Sequence, residues 1–290
     1  MLTIRRILVP ADAGPCGAAA YARALPLARR FGAALHLVHA DTPTPAVEDD
    51  APVFLPPFPD DVRVVEAEVE GEGVAEALLG YAAHHAIDLI VVGTHGRRGV
   101  AHLLFGSVAE RLVREAACPV LTVHADADPT DVCRILVPVD FSERSDEAVR
   151  YARALAELDD ARVDLVHAIE TWSEPDIYGI GLLWYEALPD ILTRVRAAMR
   201  ETAEDLLGPY AGEIHDEMGS PAPAILAAAE RLSSDLIVLA THGRTGLKRF
   251  ALGSVAEKVV QHAPCPVLAV KSFGKSLLAS PEAAAADAAP

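Results

Sequence analysis

RILVPAD at Arg6–Asp12 returns as RILVPVD at Arg134–Asp140, and this repeat decides the architecture of the chain. The segment LVHA at 37–40 also returns after 128 residues, at 165–168. DLIVVGTHGR at 88–97 returns as DLIVLATHGR at 235–244, now after 147 residues. Self-similarity over such lengths predicts two copies of one domain in tandem.

The repeat also predicts where each copy begins and ends. We expect copy one at residues 1–125, copy two at 132–272 and a poorly ordered, alanine-rich tail at 273–290. The segment that begins with DLIV returns after 147 residues, whereas LVHA returns after 128. Copy two therefore contains extra residues between LVHA and DLIV. Residues 191–208 there have the spacing of a helix that ends at glycine. Copy one instead has a proline-rich stretch, which forbids a regular helix.

Short apolar segments alternate with alanine-rich segments in both copies. In copy one, ILVP, LHLVH, VRVVEAEVE, DLIVVG and PVLTV are typical of strands, while 18–31 and 107–116 are typical of helices. Apolar strands that alternate with helices predict a parallel sheet covered on both faces. The predicted fold class is therefore α/β, with two tandem doubly wound parallel five-stranded sheets of Rossmann-like type. Ligands of such sheets bind beyond the carboxyl ends of the strands.

Composition excludes several classes of partner. The 290 residues carry a formal net charge of −17, which argues against nucleic acids and anionic membranes as partners. The chain has no run of 18 apolar residues and no signal-peptide pattern at its start, so we expect a cytoplasmic protein without a membrane span. A small anionic ligand is still allowed, because backbone dipoles act locally.

Cysteines and histidines give no metal-binding pattern. The four cysteines contain no C-x-x-C pair, and we interpret them as small buried residues: Cys16, Cys118, Cys133 and Cys265. His36 and His39 are three residues apart on a predicted strand, so they point to opposite faces and cannot share one ion. His84 and His85 lie near a predicted helix end, where interaction with the helix dipole or solvent is expected. We therefore predict no metal site.

A glycine-rich loop follows the strand DLIVVG. Its spacing is Gly93-x2-Gly96-x9-Gly106-Ser107, and the last pair opens a predicted helix. Glycines let backbone N–H groups approach an anion closely. The unpaired N–H groups and the dipole of a helix start favour phosphate at the same place. The loop therefore predicts a phosphate-binding site.

Structural roles are the alternative for several of these residues. The segments 107–110 and 254–257 both read Ser-Val-Ala-Glu, which matches a capping box. Capping and phosphate binding can coexist at one helix start. Asp12 and Asp140 could be solvated turn carboxylates, although both copies keep them while the sequence that follows diverges.

Together, ILVPAD and ILVPVD, the two THGR segments, the glycine spacing and CPV before each last strand resemble the universal stress protein family, in its ATP-binding branch. The resemblance covers nearly the whole chain. It implies ATP as the ligand, with magnesium as an open addition. It also implies that the copies pair through their last strands, 119–123 and 266–270, as an intramolecular pseudo-dimer. A further homodimer and an unidentified protein partner stay open.

The resemblance also implies the site residues, position by position. In copy one they contact adenine, ribose and phosphates in turn: Pro10, Ala11, Asp12, Ala40, Val92, Gly93, His95, Gly96, Arg97, Gly106, Ser107 and Val108. The matching positions of copy two are Pro138, Val139, Asp140, Ala168, Leu239, Ala240, His242, Gly243, Arg244, Gly253, Ser254 and Val255. Ala240 replaces the first glycine, and its methyl group could crowd the ligand, while Lys248 and Arg249 add positive charge. On balance copy one is predicted to be the better site.

Three functions follow as hypotheses. The leading one is a regulatory ATP-binding module of a stress response. The second is a slow ATPase or nucleotide-transfer enzyme, for which only His95 and His242 are candidate bases. The third is an interaction protein with one working nucleotide site. No nucleophile has a recognisable base partner, so no catalytic residue is predicted.

Overall fold

The computed structural model describes residues 1–12, 14–41, 58–94, 106–125, 132–170, 180–241, 252–271 and 273–279, and the side chains of 180–186 lie outside this description. Copy one comprises β1 Arg6–Pro10, α1 Pro15–Phe31, β2 Ala34–Asp41, β3 Val64–Glu70, α2 Val74–His84, β4 Leu89–Thr94, α3 Ser107–Glu115 and β5 Val120–His124. Copy two comprises β6 Arg134–Pro138, α4 Glu143–Asp159, β7 Arg162–Ile169, α5 Ile180–Thr202, β8 Ala211–Met218, α6 Pro221–Arg231, β9 Leu236–Ala240, α7 Ser254–His262 and β10 Val267–Val270.

All these strands form one sheet, in the order β3-β2-β1-β4-β5-β10-β9-β6-β7-β8. Neighbouring strands within each copy are parallel. The predicted doubly wound α/β fold is therefore confirmed, with the same strand order in both copies. At the centre β5 pairs with β10 in the antiparallel direction, with Leu121 opposite Leu268. The copies thus join through their last strands, as the resemblance implied.

Two hydrophobic clusters cover the two faces of this sheet. The cluster on the α1 and α4 face contains Leu121 and Leu268, and the cluster on the other face contains Val120 and Val267. Each cluster therefore runs across the central strand pair. Because side chains of both copies pack in both clusters, the copies share their core.

The extra residues of copy two form the helix that the sequence predicts. The helix α5 begins at Ile180, earlier than expected, and a π-helical turn at Ala203–Leu207 continues it toward β8. The proline-rich stretch of copy one, residues 42–57, lies outside the described residues. Across the described parts of the chain, the helices are too short or too polar for a membrane crossing.

Residues 273–279 pack against copy one and also contact Tyr151 of copy two. The amide of Thr3 donates to the carbonyl oxygen of Leu277 at 2.8 Å, and the amide of Lys275 donates to Ala117 at 2.7 Å. The Leu277 residue is only 3% exposed. The expectation of a poorly ordered tail from residue 273 onward is therefore wrong for residues 273–279. Burial of the apolar Leu277 side chain holds this segment against the rest of the protein.

Candidate functional site

A cavity of about 530 Å³ lies at the carboxyl edge of the copy-two strands. The ends of β6, β7 and β9 and the starts of α6 and α7 enclose it. Nine of the twelve predicted copy-two residues line it: Pro138, Val139, Asp140, Ala168, Leu239, Ala240, Gly253, Ser254 and Val255. The other three, His242, Gly243 and Arg244, lie outside the described residues.

Part of the cavity wall was missed from the sequence. Helices α6 and α7 add the apolar side chains of Pro221, Ile225, Ala256 and Val259. Polar side chains come from the start of α4 and from the strand ends: Ser145, His167, Glu170 and Thr241. A signal for α6 was available, because Pro221 opens a helix directly after a parallel strand. Such a helix begins at the edge where ligands of doubly wound sheets bind.

The start of α7 presents backbone amides to the cavity. Its N-cap is Gly253, whose own amide donates to the carbonyl oxygen of Thr241 at 2.9 Å. Ser254 and Val255 follow as the first helical residues and line the cavity. The first amides of a helix have no partner within it, and the helix dipole adds positive potential. This end of the cavity is therefore suited to an anion.

The capping-box interpretation is wrong for both copies. Glycine is the N-cap of α3 and α7, and neither helix has a side-chain capping hydrogen bond. Ser107 and Ser254 each occupy the first helical position instead. The Glu110 side chain accepts from Arg114 at 3.0 Å rather than turning back to the helix start. The side chains of Ser107 and Ser254 therefore do not cap their helices.

Asp140 braces the turn between β6 and α4 and also lines the cavity. Its Oδ1 atom accepts from the Ser142 amide at 3.1 Å and from the Ser142 hydroxyl at 2.5 Å. In copy one, Asp12 Oδ1 accepts from the Gly14 amide at 3.0 Å. The turn role considered for both aspartates is therefore present, and in copy two it coexists with a place in the cavity wall.

His167 ties two strand ends together beside the cavity. Its Nδ1 lies 2.7 Å from the carbonyl oxygen of Val139, so Nδ1 carries the hydrogen and donates. The Phe141 ring packs against the imidazole, with 4.7 Å between ring centres. In copy one, His39 makes the matching contact with Ala11 at 3.3 Å. These imidazoles stabilise the turns from which the aspartates project.

The described copy-one residues occupy matching elements. Pro10, Ala11 and Asp12 lie at or just beyond the end of β1, Ala40 lies on β2, and Val92 and Gly93 lie on β4. Gly106, Ser107 and Val108 form the start of α3. His95, Gly96 and Arg97 lie outside the described residues. The topology thus brings the described positions to one edge of the sheet.

Gly93 and Ala240 face the helices that cover the strands. A Cβ atom on Gly93 would collide with the carbonyl oxygen of Cys16 in the first turn of α1. Ala240 borders the cavity, but its methyl group packs against the cluster on the α4 face. Its neighbour Leu239 belongs to the cluster on the other face. The missing side chain of Gly93 therefore makes room for α1. Because the methyl group of Ala240 packs against the cluster on the α4 face, it gives no reason to expect weaker ligand binding in copy two than in copy one.

No metal centre is found among the described residues. They contain no group of three or more histidine, cysteine, aspartate or glutamate residues that could hold an ion. His36 is buried, and its Nδ1 lies 2.8 Å from the Tyr81 hydroxyl. Three cysteines are buried as expected, but Cys133 is exposed because it precedes β6 at the surface. Burial raises the pKa of the Cys118 and Cys265 thiols to about 12, so neither is a thiolate at neutral pH.

Fold and cavity together define a tandem, doubly wound α/β protein with a ligand-sized cavity at the carboxyl ends of its strands. The model of the universal stress protein family matches residues 3–57, 58–124 and 133–271. A universal stress protein of Mycolicibacterium smegmatis is 30% identical over 213 residues, which cover 71% of this chain and 69% of that protein. The chain belongs to the universal stress protein family.

Other relatives match one copy or the fold. A universal stress protein of Thermus aquaticus is 39% identical over 137 residues, which cover 47% of this chain and 97% of that protein. The crystal structure of a universal stress protein from Archaeoglobus fulgidus has a TM-score of 0.63 and 19% identity. Its match covers 92% of this chain and 98% of that chain. At this identity the structure supports the fold alone.

Proposed function

We propose that this protein binds ATP in the cavity of copy two and acts as a regulatory module of a stress response. The observation that carries the proposal is the cavity of about 530 Å³, which motif residues line and the start of α7 closes. Its size lies in the usual range of small-molecule sites, about 300–1,000 Å³. Its wall combines apolar side chains with a few polar groups, which is also typical of such sites.

The residues divide the cavity into an apolar part and an anion-binding part. Leu239, Ile225 and Val139 offer an apolar surface for adenine, and Asp140 offers a carboxylate for the ribose hydroxyls. The amides at the start of α7 would hold phosphate. His242, Gly243 and Arg244 are proposed to add to the phosphate site on the basis of the sequence motif.

We include magnesium in the proposal because the cavity wall of copy two carries negative charge. Asp140 and Glu170 both line the cavity, whereas no lysine or arginine does so among the described residues. Two carboxylates repel the phosphates of free ATP, and a divalent cation reduces that repulsion. Magnesium usually binds through substrate phosphates with one or two carboxylates, so ATP is expected to bind as its magnesium complex.

We extend the proposal to copy one because its glycine spacing is complete. Its described positions lie on the same elements as those of copy two. Both sites would then report nucleotide levels, and a protein partner would recognise the loaded state. The cytoplasm is the proposed compartment.

The first test is mass spectrometry of small molecules released from the purified protein, followed by calorimetric titration with magnesium ATP. Gly253→Val and Gly106→Val should each remove one site, and the double variant should remove both. Both glycines have negative φ values, −62° and −57°, which valine also adopts. A Cβ on Gly106 meets no described atom within 4 Å, and one on Gly253 lies 3.3 Å from Thr241. ATP binding by the double variant with wild-type affinity would exclude the proposal.

A further inference from the structure

The residue that ends or follows each last strand reaches into the other copy. His124 ends β5, and its Nε2 donates to the carbonyl oxygen of Ala263 at 2.9 Å. Lys271 follows β10, and its ammonium group donates to the carbonyl oxygen of Val113. The two positions are 147 residues apart, which is the shift of the loop motif. The two donors therefore occupy equivalent positions, whereas the acceptor Val113 lies three residues before Ala116, the residue that corresponds to Ala263.

Both acceptors lie at the C-terminal ends of the helices that begin at the phosphate loops. Ala263 is the C-cap of α7, and Val113 lies in the last turn of α3. Carbonyl groups at a helix C-terminus have no amide partner within the helix. A donor from the opposite copy satisfies one such carbonyl in each helix. Lys271 is only 4% exposed, so its contact lies inside the interface between the copies.

The other end of α7 forms the cavity wall. Ser254, Val255, Ala256 and Val259 all belong to this nine-residue helix and line the cavity. The helix is about 13 Å long and behaves as a short rigid rod. A hydrogen bond at its C-terminal end therefore helps to fix the position of the amides at its start.

His124 also contacts the strand that leads to the loop of copy one. Its Nδ1 lies 2.9 Å from the Thr94 hydroxyl, at the end of β4. The Nε2 atom must carry the hydrogen that it donates to Ala263, because a carbonyl oxygen only accepts. In the neutral ring Nδ1 then accepts from Thr94. One imidazole thus connects the last described residue before the copy-one loop with α7 of copy two.

We propose that His124 is a positioning residue for the copy-two nucleotide cavity, which copy one thereby completes across the interface. Lys271 has the reciprocal role for α3 of copy one. This inference rests on the proposed function of the cavity. It adds that the affinity of one copy depends on a side chain of the other, which acts through the C-terminal end of a helix.

The test is titration of the full-length Gly106→Val protein with magnesium ATP, because this background reports on copy two. His124→Ala should weaken binding roughly 2- to 30-fold, the range usual for positions that act through a packed element. His124→Gln should restore it, because its side-chain amide can donate to the same carbonyl. The control is Thr122→Val, which removes a hydrogen bond from Thr122 to Val267 of the other copy, 3.3 Å long, without touching α7.

Three results would overturn the inference: wild-type affinity in His124→Ala, no recovery in His124→Gln, or equal weakening by Thr122→Val. The last would mean that the general stability of the interface is responsible. If His124→Ala does not fold, His124→Gln is compared with His124→Asn, whose shorter side chain cannot reach Ala263. Equal affinities of these two variants would again overturn it. Absence of any ATP binding in the wild type would instead refute the proposed function.

Discussion

Gly93 lies directly beneath Cys16, and the backbone of α1 occupies the space that a side chain on Gly93 would need. The first turn of α1 can approach β4 this closely only because residue 93 has no Cβ. In copy two the corresponding residue, Ala240, has a methyl group that packs against the cluster on the α4 face. The glycine and alanine therefore differ in how the covering helix packs.

We expect Gly93→Ala to destabilise the protein by about 1–3 kcal/mol, because the added methyl group overpacks against α1. Ala240→Gly should cost only about 0.5–1 kcal/mol, the usual effect of glycine within regular structure. Urea unfolding of both variants measures the difference. Ala240→Gly should also leave the ATP affinity of copy two unchanged. If Ala240→Gly clearly raises the ATP affinity, the methyl group of Ala240 does crowd the ligand in the wild type.

Stability should depend on pH through Lys271. Burial lowers the pKa of its ammonium group to about 8 in the folded protein. Between pH 8 and the ordinary lysine value of about 10.4, the unfolded chain binds a proton that the folded chain has lost. The free energy of unfolding therefore rises with pH in this window, by up to about 1.4 kcal/mol per pH unit.

Urea titrations at several pH values, compared with Lys271→Met, isolate this contribution. The difference between wild type and variant should shift in favour of the wild type from pH 8 to 10. Lys258→Met is the control, since Lys258 is exposed on α7. Parallel pH profiles of wild type and Lys271→Met would show that Lys271 does not titrate in this window.

Much of the fold could be predicted because the repeat appears twice in the sequence. The doubly wound α/β fold of each copy and the pairing of β5 with β10 agree with the expectation. The direction in which Gly93 faces could not be predicted, since it depends on how closely α1 approaches β4. The capping box failed for a similar reason: the pattern Ser-x-x-Glu does not tell whether Ser107 precedes the helix or begins it. Local patterns thus predicted nine residues that line the cavity of copy two, whereas distances between elements decided individual roles.

His36 should make stability fall in mild acid. Burial, with smaller contributions from His85, Arg6 and Arg63, lowers its pKa in the folded state. Near pH 6.5 the unfolded chain therefore binds more protons at this position than the folded chain does. Stability decreases as pH falls below about 6.5, by up to about 1.4 kcal/mol per pH unit.

A non-titrating substitution tests this contribution. His36→Asn keeps a polar group near the Tyr81 hydroxyl and should flatten the loss between pH 6.5 and 5 in chemical denaturation. His84→Asn, at an exposed position at the end of α2, is the control and should keep the wild-type slope. Equal slopes for wild type and His36→Asn would contradict the assignment.

Truncation should locate the end of the folded part of the chain. Removal of residues 280–290 should leave the melting temperature unchanged, because that sequence has no periodic apolar pattern. Removal of 273–290 should cost about 2 kcal/mol or more, since it exposes the surface that Leu277 covers. It also removes the bond, 2.6 Å long, from the Leu277 amide to the Tyr151 hydroxyl.

A point variant separates this packing from a general effect of shortening the chain. Gly274 has a φ of 86°, and a Cβ there would collide with the carbonyl oxygen of Ala117. Gly274→Ala should therefore lower stability in the full-length protein by about 1–3 kcal/mol, through backbone strain and overpacking. Gly73→Ala is the control, because its Cβ would meet no described atom within 4 Å and its φ is −157°. If Gly274→Ala and the longer truncation both melt like the wild type, residues 273–279 do not contribute to the folded core.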